Sequence, residues 1–186
     1  MTGYDLVMAP LEKLYLARIR RALMPQAFGR VLEIGFGNGA NMAYFDHSKI
    51  KSLDALDIKE NMRAFSDVTY HVLSAEELPF EDASFDTVVL TLTLCSVPDQ
   101  LKAIREIRRV LKDDGVYLFI EHEKPRGSLT GGLVELVNPL WRRLASGCQL
   151  NLETHKKIES QGFKLSRQRR GVFHYGVAKK IDEQEG

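Results

Sequence analysis

The chain has 186 residues, 26 Lys and Arg against 25 Asp and Glu, a formal net charge of +1, 44% hydrophobic residues and 27% charged ones. A chain of this length buries about two thirds of its unfolded surface, so it forms a core without metal or disulfide staples, and a single domain over 1–186 is expected. The charge balance argues against a protein built to hold a phosphate backbone, Cys95 and Cys148 form no CxxC pair of the zinc or disulfide kind, and no apolar run approaches the roughly 18–20 residues of a membrane span.

From Pro10 to Met24, Leu11, Leu14, Tyr15, Ile19, Ala22 and Leu23 recur at helical steps and predict an amphipathic helix ending at Pro25. Arg30–Ile34 reads as a short buried strand that breaks at a glycine-rich turn, with a helix expected over Ala40–Phe45. A second strand, Ser52–Asp57, leads to a predicted short helix over Glu60–Phe65, and alternation marks a third strand over Val68–Leu73. The β-branched stretch Ser84–Thr93 predicts a buried central strand. Pro98-Asp99 opens the best-patterned helix: Asp99 is its N-cap, Leu101, Ile104, Ile107, Val110 and Leu111 are its buried stripe, and Gly115 lies just past its end. Val116–Ile120 is the next strand. Gly127–Cys148 is a mixed, mainly helical segment holding Trp141, Asn151–Gln161 is a helix ended by Gly162, and Phe163–Gln168 with Val172–Lys179 forms an antiparallel pair. Strands alternating with helices predict an α/β fold: a Rossmann-like, mainly parallel, seven-stranded sheet with helices on both faces and a C-terminal antiparallel strand pair.

The turn Gly35-Phe36-Gly37-Asn38-Gly39 sits between the first predicted strand and a predicted helix, where glycines let a backbone approach a ligand closely. Asp57 ends the second strand eighteen residues after Gly39, where a carboxylate accepts the ribose hydroxyls of a nucleoside. The spacing Gly35-x-Gly37-x-x-Ala40 fits a dinucleotide as well as a nucleoside methyl donor. Glu33 favours the donor, because its charge would oppose a pyrophosphate and welcome an α-amino group.

Val31-Leu32-Glu33-Ile34-Gly35-Phe36-Gly37-Asn38-Gly39 resembles the first motif of class I S-adenosylmethionine-dependent methyltransferases. Leu56-Asp57-Ile58 resembles their second-strand acid and Ser74-Ala75-Glu76-Glu77-Leu78-Pro79-Phe80 their adenine-side loop. The resemblance continues through Phe85-Asp86-Thr87-Val88-Val89 and Ile107-Arg108-Arg109-Val110-Leu111-Lys112. It implies S-adenosylmethionine as cofactor, with Gly35, Gly37 and Gly39 around its methionine end, Glu33 near its amino group and Asp57 on the ribose. Ile58, Ala75 and Glu76 would flank the adenine, and Thr91 would lie near the sulfonium. Ser74 departs from the family pattern, in which aspartate often holds the adenine amino group.

Finer resemblance is carried by Thr91-Leu92-Thr93-Leu94-Cys95-Ser96-Val97, Glu121-His122, Asn138-Pro139-Leu140-Trp141, Gly147-Cys148-Gln149-Leu150 and His174-Tyr175-Gly176-Val177-Ala178-Lys179. These are similar to the methyltransferase-like family that includes alkyl-thiol methyltransferases. The opening Tyr4-Asp5-Leu6-Val7-Met8 also resembles bacterial phospholipid and quinone methyltransferases. A thiol must lose its proton to attack, and His122, ending the fifth strand, is the candidate base, with His174 second to it. Tyr4 is expected to cover the donor, residues 1–29 to carry a helix over the donor site, and 127–150 to form the acceptor lid. The expected partner is a small-molecule acceptor, with no nucleic acid, no stable membrane insertion, no metal and a cytoplasmic location. A NAD-dependent oxidoreductase and a nucleoside-binding module without turnover stay open as readings of another class.

Overall fold

The aliphatic and β-branched runs form seven strands of one sheet in a computed structural model, which describes residues 15–60, 63–122 and 153–181. The strands are β1 (Gly29–Ile34), β2 (Ile50–Asp57), β3 (Val68–Val72), β4 (Phe85–Thr91), β5 (Leu111–His122), β6 (Phe163–Arg170) and β7 (Phe173–Lys180). Their order is β3-β2-β1-β4-β5-β7-β6. The first five run parallel, and β7 lies antiparallel between β5 and β6. The predicted fold class and its antiparallel closure are therefore present.

Two cores sit on opposite faces of this sheet, as a parallel sheet buried on both sides requires. Helix α1 (Ala17–Leu23) brings Ile19 and Leu23 to one face beside Leu16, Val31, Val89 and Leu118. Helix α2 (Gln100–Val110) and helix α3 (Thr154–Ser160) cover the other, with Ala103, Ile104, Ile107, Val110 and Ile158 fully buried. Each such aliphatic side chain contributes roughly 1.5–3 kcal/mol of burial. Asp99 caps α2 as its sequence position predicts, its side chain accepting from Lys102 N at 2.9 Å.

Three expected elements differ. No α-helix spans Ala40–Phe45; a 3-10 turn over Met42–Tyr44 stands there, and a second begins at His47. Asp46 accepts from both Ser48 N (3.2 Å) and Ser48 Oγ (2.6 Å), offering the backbone a local turn in place of a continued helix. Residues 63–65 are not helical, and 61–62 lie outside the described residues. The Tyr70 hydroxyl holds this stretch, accepting from Phe65 N (2.6 Å) and donating to Arg63 O (2.9 Å). Finally, α2 stops at Val110, and β5 starts at Leu111, five residues before the predicted strand. Leu111 pairs with Phe85 and Val116 with Thr87, so the residues between bulge out of the ladder. The buried Leu111 side chain serves the core better as part of a strand than as a last helical turn.

Arg109 ties α2 to the loop after β3. Its guanidinium donates to Leu78 O (2.8 Å), Phe80 O (2.7 Å), Asp82 Oδ1 (2.8 Å) and both Glu106 oxygens (2.8 Å each). Glu106 in turn accepts from Leu78 N at 2.8 Å. The half-exposed acid pairs contribute little through water, whereas the two backbone carbonyls lose fixed donors if the side chain is cut. Arg109→Ala is expected to destabilise the protein by about 2 kcal/mol in chemical denaturation. Its amide exchange should rise over residues 76–82 and stay unchanged in β1.

Candidate active site

The parallel strands end along one edge, and strand order reverses between β1 and β4, the place where open α/β sheets form a ligand crevice. Glu33, near the end of β1, is 2% exposed and lies between Ala55 of β2 and Val89 of β4. Asn41 Nδ2 donates to Glu33 Oε1 at 2.8 Å and to Thr91 Oγ1 at 3.1 Å, and its own Oδ1 accepts from Arg20 Nε at 2.7 Å. Glu33 Oε2 is buried with no hydrogen-bond partner among the described residues. Burial pushes the Glu33 carboxyl up to about 7, against the Asn41 bond and the Arg20 charge, which both pull it down.

The glycine turn follows directly. Gly35, Gly37 and Gly39 all have positive φ, at 76°, 53° and 72°. A side chain on Gly35 would run into the Thr93 hydroxyl, whereas one on Gly37 would meet nothing within 4 Å, so Gly37 is the turn's open face. Gly35 N and Phe36 N both donate to Leu56 O, at 2.7 and 3.1 Å, tying the turn to β2. Asp57, at the end of β2, accepts from Gly37 N on Oδ2 (2.9 Å) and from Lys59 N on Oδ1 (3.0 Å). Each of its oxygens keeps a lone pair for a further donor.

The structure thus brings Glu33, Gly35, Gly37, Gly39, Asp57 and Thr91 to one end of neighbouring strands. Ile58 stands beside Asp57 and is 71% exposed, an apolar surface of the kind a nucleobase covers. Ala75 is buried within the core cluster. The Glu76 carboxylate is engaged inside the protein, accepting from Ser74 Oγ (2.9 Å) and from Asp99 N (2.8 Å), so it joins the loop to the start of α2. Tyr4 and the 127–150 segment lie outside the described residues.

On the other side of Thr91, β5 ends in Glu121 and His122. Glu121 is buried, and its Oε1 accepts from Thr93 N and Leu94 N, both at 3.0 Å. Cys95 lies in the 3-10 turn Leu94–Ser96, and the ligand atoms of Cys95, Glu121 and His122 are all within 4.8 Å of one another. His174 sits on β7 opposite Glu121 and stacks on His155 of α3 with ring centroids 5.4 Å apart. Sequence reading gave no site role to Arg20, Asn41 or Glu121. Asn41 falls in a stretch read as a helix, and the observed turn aims its amide at Glu33. Glu121 carried a signal, an acid in an otherwise apolar strand.

S-adenosylmethionine fits these residues. The unpartnered buried oxygen of Glu33 is an acceptor suited to an α-ammonium, Gly37 leaves room at the turn, and Asp57 retains acceptor capacity for a ribose.

A family model for a methyltransferase domain matches residues 32–119, from β1 into β5. Human thiol S-methyltransferase TMT1B is 34% identical over 151 residues, covering 74% of this chain and 62% of that protein. The C-methyltransferase UbiE of ubiquinone and menaquinone biosynthesis in Rickettsia bellii is 32% identical, covering 67% of this chain and 56% of that protein. The chain thus spans about three fifths of the length of these curated relatives. The crystal structure of YcgJ from Bacillus subtilis superimposes with a TM-score of 0.67 at 26% identity, covering 83% of this chain and 70% of that one. A sheet whose first five strands carry the methyltransferase domain, with an acid on each side of its glycine turn, completes the assignment: the chain belongs to the class I S-adenosylmethionine-dependent methyltransferases.

Proposed function

We propose that the chain transfers a methyl group from S-adenosylmethionine to a small lipophilic thiol. When bound, the donor supplies a methyl carbon on a positively charged sulfur, and the protein's part is to hold, align and keep out water. Glu33 takes the ammonium, Asp57 the ribose hydroxyls and Ile58 one face of the adenine. Ala75 and Glu76 shape the loop on the adenine's other side, Thr91 lies toward the sulfonium, and Tyr4 covers it. His122 takes the acceptor's proton, the step a thiol of ordinary pKa about 8.5 needs near neutrality. Residues 127–150 form the acceptor lid, and a cytoplasmic setting belongs to the same reading.

The observation that carries the acceptor assignment is the side-chain group of Cys95, Glu121 and His122 one strand from Thr91, together with similarity to a thiol S-methyltransferase. A phospholipid or quinone acceptor is the second reading, favoured by similarity to the quinone C-methyltransferase. No helix of the described residues is long and apolar enough to cross a membrane. A screen of methyl transfer across alkyl thiols, phospholipids and quinones tests this, with His122→Ala alongside. Turnover on thiols that falls roughly 100-fold or more in the variant is expected. Turnover on quinones alone would overturn the thiol reading, and an unchanged His122→Ala rate would remove the base.

Ile58→Ser is expected to raise the donor KM about 10-fold, the equivalent of roughly 1.4 kcal/mol of apolar contact. Because Ile58 is 71% exposed, thermal stability should not change.

A further inference from the structure

We infer that Cys95, Glu121 and His122 form a binding site for a zinc-type divalent cation, whose remaining coordination position takes the acceptor thiol. The three donor atoms lie within 4.8 Å of one another. A tetrahedral ion with ligands at about 2.0–2.3 Å separates its ligand atoms by roughly 3.3–3.8 Å, so the three atoms stand within about 1.5 Å of the spacing such an ion needs. The donor set is one sulfur, one imidazole nitrogen and one carboxylate oxygen. It suits zinc and disfavours magnesium and calcium, which require oxygen. Three protein ligands with one position left over is the arrangement of a zinc ion that handles substrate.

Charge points the same way. Cys95 and Glu121 are both buried. A thiolate and a carboxylate are the two anionic ligands that would neutralise a bound dication there. The site is also held from behind. Glu121 is fixed by the backbone N–H groups of Thr93 and Leu94, as carboxylate ligands are steadied by surrounding bonds, and Cys95 is on the short turn those bonds anchor.

The thiol-activating role rests on the proposed acceptor; the cation site rests on geometry alone. An acceptor RSH entering the open position breaks its S–H bond and releases the proton to water. Its sulfur lone pair then forms the new C–S bond while the donor's methyl–sulfur bond breaks and that pair returns to the donor sulfur. The thioether then leaves the cation. In the loaded protein His122 is a ligand, and the cation replaces it as the activating group.

The test uses the full chain, stripped with chelator and titrated with zinc or cobalt alone. One equivalent should bind, with a thiolate-to-cobalt charge-transfer band. Cys95→Ser should lose the band and weaken zinc binding by roughly 100-fold or more, beyond the effect of losing a supporting residue, and His122→Ala should weaken it too. Donor binding by Cys95→Ser, followed by calorimetry, should stay at the wild-type value and so report an intact fold. No zinc uptake by the wild type, or equal uptake by Cys95→Ser, would overturn the site. Added alkyl thiol should shift the cobalt spectrum, and an unchanged spectrum would overturn thiol docking. If the spectrum shifts but no thiol is methylated by reloaded protein, the cation site stands and the thiol reading of function fails.

Discussion

Glu33→Gln is expected to weaken S-adenosylmethionine binding by about 100-fold at pH 8, the equivalent of roughly 3 kcal/mol for losing a buried charge partner. The same substitution should make the donor-free protein more stable. In the folded protein burial raises the Glu33 carboxyl from 4.5 to about 7, so between those values the folded state holds a proton that the unfolded chain releases. Stability therefore falls as pH rises through that window, and the full penalty is present above pH 7. At 1.36 kcal/mol per pH unit the penalty reaches about 3 kcal/mol. Glutamine removes it, so the variant should melt several degrees higher than wild type at pH 8, at roughly 2–4 °C per kcal/mol, with little difference at pH 4.5. A buried carboxyl that costs stability and keeps one oxygen unbonded suits the proposed cationic ligand.

Asn41→Ala should act in the opposite direction on the fold. Its amide donates to Glu33 and Thr91 and accepts from Arg20, which links α1 to the donor carboxylate through one buried side chain. Removing it takes one hydrogen bond from the buried Glu33 carboxyl and one from the Arg20 guanidinium, at about 1.5–3 kcal/mol for each charged hydrogen bond, for a total loss of roughly 3–5 kcal/mol. The loss should be greatest above pH 7, where Glu33 is ionised. Because the Asn41 bond is the largest influence lowering the Glu33 carboxyl, its removal should move the pH midpoint of donor binding upward from about 7. Denaturant melts at pH 5 and 8, with donor titrations across the same range, check both parts. Equal destabilisation at the two pH values would detach Asn41 from Glu33.

Sheet and site were legible to different degrees, for a physical reason. The strands and α2 bury continuous apolar runs or a regular stripe, so Val31, Val88 and Ile104 announce their elements. The positions of Glu33 and Asp57 were legible because they stand at strand ends beside a glycine turn. Elements decided by side-chain hydrogen bonds were not. Asp46 with Ser48 ends a helix that composition favours, and the Tyr70 hydroxyl holds 63–65 out of one. Glu76 shows the limit at single residues. Its position in the loop suggests contact with adenine, while its two oxygens are bonded to Ser74 and to the N-cap residue Asp99. On the acceptor side His122 and, second to it, His174 were read as candidate bases and 127–150 as a lid, whereas the nearness of Cys95 to His122 comes from the turn after β4 and has no mark in the sequence.

The central claim is that an ionised Glu33 at the end of β1 receives the ammonium of S-adenosylmethionine. Calorimetric titration of the donor into wild-type protein and Glu33→Gln between pH 5.5 and 8.5 tests it most directly. One donor per chain should bind, with wild-type affinity falling toward tenfold per pH unit below about 7 and the variant weak and independent of pH. Wild-type affinity that does not change across that range, or a variant that binds as tightly as wild type, would contradict it.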